Sequence, residues 1–248
     1  MKIGIIIEAR TNSSRLPQKT IRELIPGVPM VLCLIHRLRP AEVDEIILAT
    51  TTNPGDDILC QWAEAQGIKC FRGSESNVLE RVYLAAKKFD INTIIEITAD
   101  NVLVDYRIVD EFVAVFKNSY PKYDFVGNYK TSYPRGIVVY VFKMQSLQTI
   151  YETSEDEEDK EHVSISLYTS SKFKALNIPA PPQYQYPHFR LTVDTIEDFK
   201  VIQHIFKNLY PQHGFLFSLD QIIDYLKQHP KILEINSGVK QKTPRRLH

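Results

Sequence analysis

The amino-acid sequence predicts an α/β fold in three layers, with a mostly parallel central sheet flanked by helices. Three observations carry that expectation. Four short runs in the first hundred residues are continuously apolar, which suits strands buried on both faces. Amphipathic helical stretches alternate with those runs, and the connections between them are short. A chain of 248 residues without an internal repeat or a low-complexity linker can bury a full core as one domain.

The expected strands are KIGIII (2–7), EIILATT (45–51), KCFRG (69–73) and TIIEITA (93–99). Between them, DDILCQWAEAQG opens on acidic residues and stops at Gly67, the charge bias and stop signal of a helix. SNVLERVYLAAKKF offers Ser76 as a cap and sets Val78, Val82, Ala85 and Phe89 at helical spacing. YRIVDEFVAVFKNS follows the fourth strand in the same way. The second half is less regular. DFVGN (124–128), IVVYVF (137–142) and FRLTVD (189–194) read as strands, and MQSLQTIYE, 196–210 and 218–230 as helices. FKALNIPAPP reads as ending in a proline-rich turn, the acidic run 154–159 as a solvated loop or lid, and the basic tail KQKTPRRLH as a solvated end.

Composition narrows the function. Thirty basic and thirty acidic side chains cancel, so the long-range field of a general nucleic-acid binder is absent and any anion site must be local. Cys33, Cys60 and Cys70 form no CxxC pair, which suits three small core residues in a reduced compartment better than disulfides or zinc. The apolar start MKIGIII is too short for a signal segment or a membrane span, and the expectation is a cytoplasmic protein.

In an open parallel sheet the ligand lies beyond the carboxyl ends of the strands. Those ends are polar here: Arg10, Ser13, Ser14, Arg15 and Lys19 after the first, Thr50 to Asn53 and Asp57 after the second, Arg72 to Ser74 after the third, and Asp100 with Asn101 after the fourth. Guanidinium forks, hydroxyls and an ammonium in one loop, EARTNSSRLPQK (8–19), suit a polyphosphate. No GxxxxGK[ST] and no GxGxxG occurs, so neither a Walker-type NTPase nor a dinucleotide dehydrogenase is expected. Asp100 and Asp194 each end a predicted strand, and each could be a ligand for Mg²⁺ or a helix cap. Tyr83, Tyr133 and Tyr140 read as core residues.

With those residues in view, EARTNSSRLPQK resembles the ARxxSxRLPxK signature of the cytidylyltransferases that activate acidic sugars, above all their spore-coat polysaccharide (SpsF-like) branch. The likeness continues in order through ATTTNPGDD, FRGSESNVLERVYLAA, ITADNVLVD, YPRGIVVYVF, KEHVS and LTVDTIEDFKVI. The resemblance implies a GT-A-like nucleotide-diphosphosugar transferase fold, a nucleotide-binding half at about 1–105, and an acceptor-binding and dimerisation half at about 106–240. It further implies that Arg10, Ser13, Arg15 and Lys19 hold the phosphates of CTP, and that Ala9, Thr50, Arg72 and Asn77 surround base and ribose. Asp100 and Asp194 would bind Mg²⁺, while Asn101, Arg135, Glu161 and His162 would face the acceptor.

The chain departs from the family at Gln18, where glycine is usual, at Glu8, where the branch commonly has glutamine, and after Asn101, where a proline is usual. The expected reaction is transfer of CMP from CTP to an acidic sugar or a phosphorylated small acceptor, with Arg10, Arg15, Lys19 and Asp100 as the catalytic set and a homodimer as the working unit. GSESNVLER stands where a Kdo-specific enzyme would show an SGTDR-like block. Two other readings stay open: a GT-A glycosyltransferase, against which the absence of a DxD pair counts, and a catalytically idle nucleotide-binding homologue.

Overall fold

The computed structural model describes residues 1–130, 132–242 and 244–247. β1 (Ile3–Glu8) leads through the polar loop into a hairpin, β2 (Glu23–Ile25) and β3 (Val28–Pro29), and then α1 (Met30–Leu38). The alternation continues with β4 (Glu45–Thr51), α2 (Asp57–Ala65), β5 (Lys69–Gly73), α3 (Val78–Lys88), β6 (Thr93–Thr98) and α4 (Tyr106–Ser119). β7 (Phe125–Gly127), β8 (Tyr140–Lys143), α5 (Met144–Thr153), α6 (Glu157–Glu161), α7 (Ile165–Thr169) and β9 (Ala175–Asn177) follow. The chain then runs through α8 (Ile196–His213), α9 (Leu219–Gln228) and α10 (Lys231–Glu234).

The main sheet has the order β5-β4-β1-β6-β8-β7-β9. β5, β4, β1 and β6 are mutually parallel; β8 alone is reversed, because β7 pairs antiparallel with it and β9 parallel with β7. Alternation along the strands divides the core in two. Ile3, Ile5 and Ile7 of β1 face α1, α4, α8 and α9, whereas Ile6, with Ile94 and Phe142, faces α3, α5 and α7. By the same alternation Glu8, Glu96 and Thr98 lie on the α3 side, at the carboxyl end of the sheet.

Several expectations need correction. FRLTVD is extended but forms no ladder strand: Arg190 makes an isolated bridge to Arg135. The segment crosses the carboxyl end of the sheet instead, where Leu191 N donates to Arg135 O at 2.7 Å and Val193 N to Asp100 O at 3.0 Å. Ahead of its proline-rich end FKALNIPAPP contains an edge strand, β9, that the pattern did not mark, and IVVYVF pairs only from Tyr140 onward. Asp194 is not a helix cap; Thr195 caps α8 in a reciprocal box with Asp198, and Asn77, not Ser76, caps α3. Cys60 and Cys70 form a disulfide, since packing of α2 on β5 brings their Cα atoms within 5.6 Å. Cys33 is free and buried, as a packing residue.

Both charged segments of the second half are held. Part of the acidic run forms α6, capped by Asp156, with Asp159 buried. The basic tail lies on it: Arg246 donates to Asp156 at 2.5 Å and to Asp159 at 2.8 Å, and Arg245 reaches Asp156 at 3.4 Å. Opposite charges ninety residues apart in sequence meet here, which no local pattern reveals.

Candidate active site

The polar loop after β1 is built around buried anchors. Thr11 donates from both its backbone nitrogen and its hydroxyl to Asp56 Oδ1, at 2.7 and 2.6 Å. Thr51, at the end of β4, donates its hydroxyl to the other oxygen of Asp56 at 2.5 Å. Burial would raise the Asp56 carboxyl, but these hydroxyl and amide donors outweigh it and hold the group below its ordinary range. The loop closes where Gln18 N donates to Thr11 O at 3.0 Å. Gln18 there takes φ 59 and ψ 23, the left-handed region that glycine occupies without strain. Gln18→Gly is therefore expected to raise stability by about 0.5–1 kcal/mol. A thermal melt of the purified variant checks this, and a lowered Tm would contradict it.

This closure aims Lys19 inward. Its ammonium donates to Asp100 Oδ2 at 2.9 Å and to Val193 O at 2.8 Å, and lies 3.7 Å from Asp194 Oδ1. Arg15 meets the same Asp194 oxygen at 2.8 Å, and Arg190 holds Oδ2 at 2.7 Å. Arg190 is itself fixed by Asp198 at 2.8 Å. Thr98 donates to Asp100 Oδ1 at 2.6 Å, and Asn101 donates to the Thr98 hydroxyl at 3.0 Å. Burial raises Asp100, yet the Lys19 charge and the Thr98 hydroxyl pull it below its ordinary value, so it is a carboxylate at neutral pH. Two aspartates 94 residues apart, one after β6 and one on the segment that crosses the sheet end, thus converge on one ammonium.

The crossing of two chain segments makes this convergence possible. Gly136 has φ +99, and a Cβ there would stand 2.6 Å from backbone atoms of both Leu191 and Thr192. Only glycine lets the segment that carries Arg135 pass this close to the one that carries Asp194.

A cavity of about 800 Å³ opens above this cluster, lined by Arg10, Ser13, Arg15, Lys19, Asp100, Asn101, Arg135, Glu161, His162 and Asp194 among others. A second, of about 220 Å³, adjoins it and is lined by Ala9, Arg10, Ser13, Lys19 and Arg81. Three residues of the expected set lie on neither wall. Thr50 is buried, Arg72 donates to Thr51 O and Asn53 O and pairs with Asp57, and the Asn77 side chain accepts from Glu80 N.

Sequence reasoning missed other residues on the larger wall: Glu96, Thr98, Ser164, Tyr168, Thr192 and, from the tail, Gln241, Lys242 and Arg245. Tyr140, read as core, also lines it. A lone acid inside the apolar run TIIEIT was the one signal available for Glu96.

Burial pushes the Glu96 carboxyl up to about 7, while the nearby Ser164 hydroxyl pulls the other way. Glu8 is also raised, by burial and by the Glu96 charge, with Arg81 opposing. An acid whose pKa is raised on folding keeps its proton longer in the folded chain. Stability attributable to Glu96 is present at low pH and is lost as pH rises from the ordinary carboxyl range through about 7. Glu96→Gln is expected to flatten that fall, as melts between about pH 5 and pH 8 would reveal; an unchanged slope contradicts the assignment.

Comparison with known proteins identifies the family. The Cytidylyltransferase family model matches residues 4–241. Spore coat polysaccharide biosynthesis protein SpsF of Bacillus subtilis is 30% identical, over 92% of this chain and 95% of its own. The structure of a cytidylyltransferase from Leptospira borgpetersenii superposes with a TM-score of 0.88 at 27% identity, covering 98% of this chain and all of that one. A CMP:2-keto-3-deoxy-manno-octonic acid synthetase complexed with CTP shares the fold, with a TM-score of 0.62 at 19% identity over 84% of this chain and 99% of its own. The family model, the likeness to SpsF and the superposed fold agree, and the chain belongs to the cytidylyltransferase family of nucleotidyltransferases.

Proposed function

We propose that this nucleotidyltransferase moves CMP from CTP to an acidic sugar or a related small acceptor, releasing pyrophosphate, for surface polysaccharide or glycan synthesis. The observation that carries the reading is the pairing of Lys19 with Asp100 and Asp194 beside Arg15, at the carboxyl end of the parallel strands. A triphosphate competes directly for Arg15 and Lys19, and on binding them it frees the two carboxylates.

Those carboxylates fit Mg²⁺. Among the described residues no group of three His, Cys, Asp or Glu side chains could hold a metal, and two oxygens within 4 Å of one ammonium match an ion that keeps waters and takes the rest of its shell from phosphate. Asp100 and Asp194 would hold the ion, and it would supply positive charge against the negative charge that develops on the phosphates.

The chain's own residues do the rest. Arg10, Ser13, Arg15 and Lys19 hold the β- and γ-phosphates, and the three cations neutralise the departing pyrophosphate. Ala9, on the smaller cavity, faces the base and ribose. We assign Thr50, Arg72 and Asn77 to shaping the wall behind the nucleotide, because each is engaged with backbone or buried. Asn101, Arg135, Glu161 and His162 face the acceptor from the larger cavity, whose oxygen attacks the α-phosphorus in line.

We take 1–248 as one domain whose first half binds the nucleotide, and a homodimer in the cytoplasm as the working unit. Among the described residues no helix is long and apolar enough to cross a membrane. The test is pyrophosphate release with Mg²⁺ and each of the four NTPs over a panel of 2-keto-3-deoxy acids, nonulosonic acids and phosphorylated acceptors. Turnover with CTP alone supports the reading; equal turnover with another nucleotide, or none on any acceptor, overturns it.

A further inference from the structure

The floor of the larger cavity carries a group that the cytidylyl reaction does not use. Glu96 sits within β6 and is 8% exposed. Its Oε2 is buried without a hydrogen-bond partner. Tyr140 stands directly across from it on β8, and the Tyr168 ring of α7 lies 5.7 Å from the Tyr140 ring. Ser164 completes this corner, and all four side chains line the cavity. Glu8 also has a buried oxygen without a partner, but the buried Arg81 guanidinium offsets its charge. No lysine or arginine among the described residues forms an ion pair with Glu96.

A buried carboxyl with no counter-cation is costly, and its cost is offset when a ligand supplies the missing charge. A carboxylate with tyrosine and serine hydroxyls beside it gathers several acceptors, which the three donors of an ammonium can fill and the single donor of a hydroxyl cannot. The same cavity is lined by Lys19, Arg15 and Arg135, cations that suit the phosphates and an acidic group. A ligand that meets both these cations and Glu96 needs an anionic group and a cationic one.

We infer that Glu96, with Tyr140, Tyr168 and Ser164, forms an ammonium subsite, and that the acceptor is an acidic sugar bearing a free primary amine. The inference rests on the acceptor reading above and narrows it to a zwitterionic class.

The experiment measures pyrophosphate release at saturating CTP on acidic sugars matched in pairs, amine against hydroxyl at one carbon. The wild-type chain is expected to prefer the amino member at least tenfold in kcat/KM. Glu96→Gln is expected to reduce that preference at least tenfold, chiefly through KM for the amino member. Turnover confined to the hydroxyl members, or a preference unmoved by Glu96→Gln, overturns the subsite and leaves cytidylyl transfer standing. No turnover on any acid overturns both readings. Weakened self-association in Glu96→Gln with unchanged selectivity would give Glu96 a cation from a second subunit, and likewise overturns the subsite. The wild-type preference needs no variant, so a misfolded Glu96→Gln would not shield the inference.

Discussion

Asp100→Asn is expected to lower kcat for cytidylyl transfer by about 10³-fold while the chain stays folded. The carboxylate is held between Lys19 and Thr98 at 2.9 and 2.6 Å, so an amide of the same shape keeps the space but loses the charge. Stability should fall by about 2 kcal/mol, the scale of one charge-assisted hydrogen bond. The Asp100 pKa is lowered on folding, so its stabilisation is present above the ordinary carboxyl range and lost as pH falls below it; the deficit of the variant should vanish in acid. Metal-free CTP binding should tighten, because Lys19 no longer has Asp100 as a competing partner. Steady-state kinetics, calorimetric CTP titration and thermal melts check the three parts. Full activity in the variant would remove Asp100 from the reaction.

Gly136→Ala is expected to damage the fold and the site together. A methyl group at φ +99 is strained in itself, and here it would meet backbone at 2.6 Å, which cannot rotate away as a side chain can. Strain and overpacking together suggest a loss of about 3 kcal/mol or more. The segments forced apart carry Arg135 on one side and Thr192 with Asp194 on the other. Any soluble variant should therefore lose turnover beyond its loss of stability, through both KM for the acceptor and kcat. A variant with wild-type Tm and kinetics would contradict the crossing described here.

The parallel half of the fold was legible because β1, β4 and β6 are largely buried on both faces and so read as mainly apolar runs, as KIGIII and EIILATT do, while the edge strand β5 is only half-buried. The cationic loop was legible for a related reason: Arg10, Arg15 and Lys19 follow such a run, and a sheet places its ligand there. What stayed hidden depends on contacts between distant segments. FRLTVD has the alternation of a strand, but its hydrogen bonds go to Arg135 and Asp100, so its pattern could not tell a ladder from a crossing. Arg190 is invisible as a site residue until α8 brings Asp198 beneath it. Thr50, Arg72 and Asn77 sit in matching motifs, yet their side chains turn to backbone or core instead of the cavity. Glu96 was visible as a charge within β6, but which way it points depends on register with Tyr140 of a strand more than forty residues later.

Cytidylyl transfer as proposed requires attack on the α-phosphorus of CTP, with the β- and γ-phosphates leaving together. Labelling CTP separately at the α- and γ-phosphates, with Mg²⁺ and an acceptor that supports turnover, tests it most directly. α-Label is expected in a CMP-linked product and γ-label wholly in pyrophosphate. α-Label recovered only as free CMP, or γ-label in the acceptor product, would contradict it.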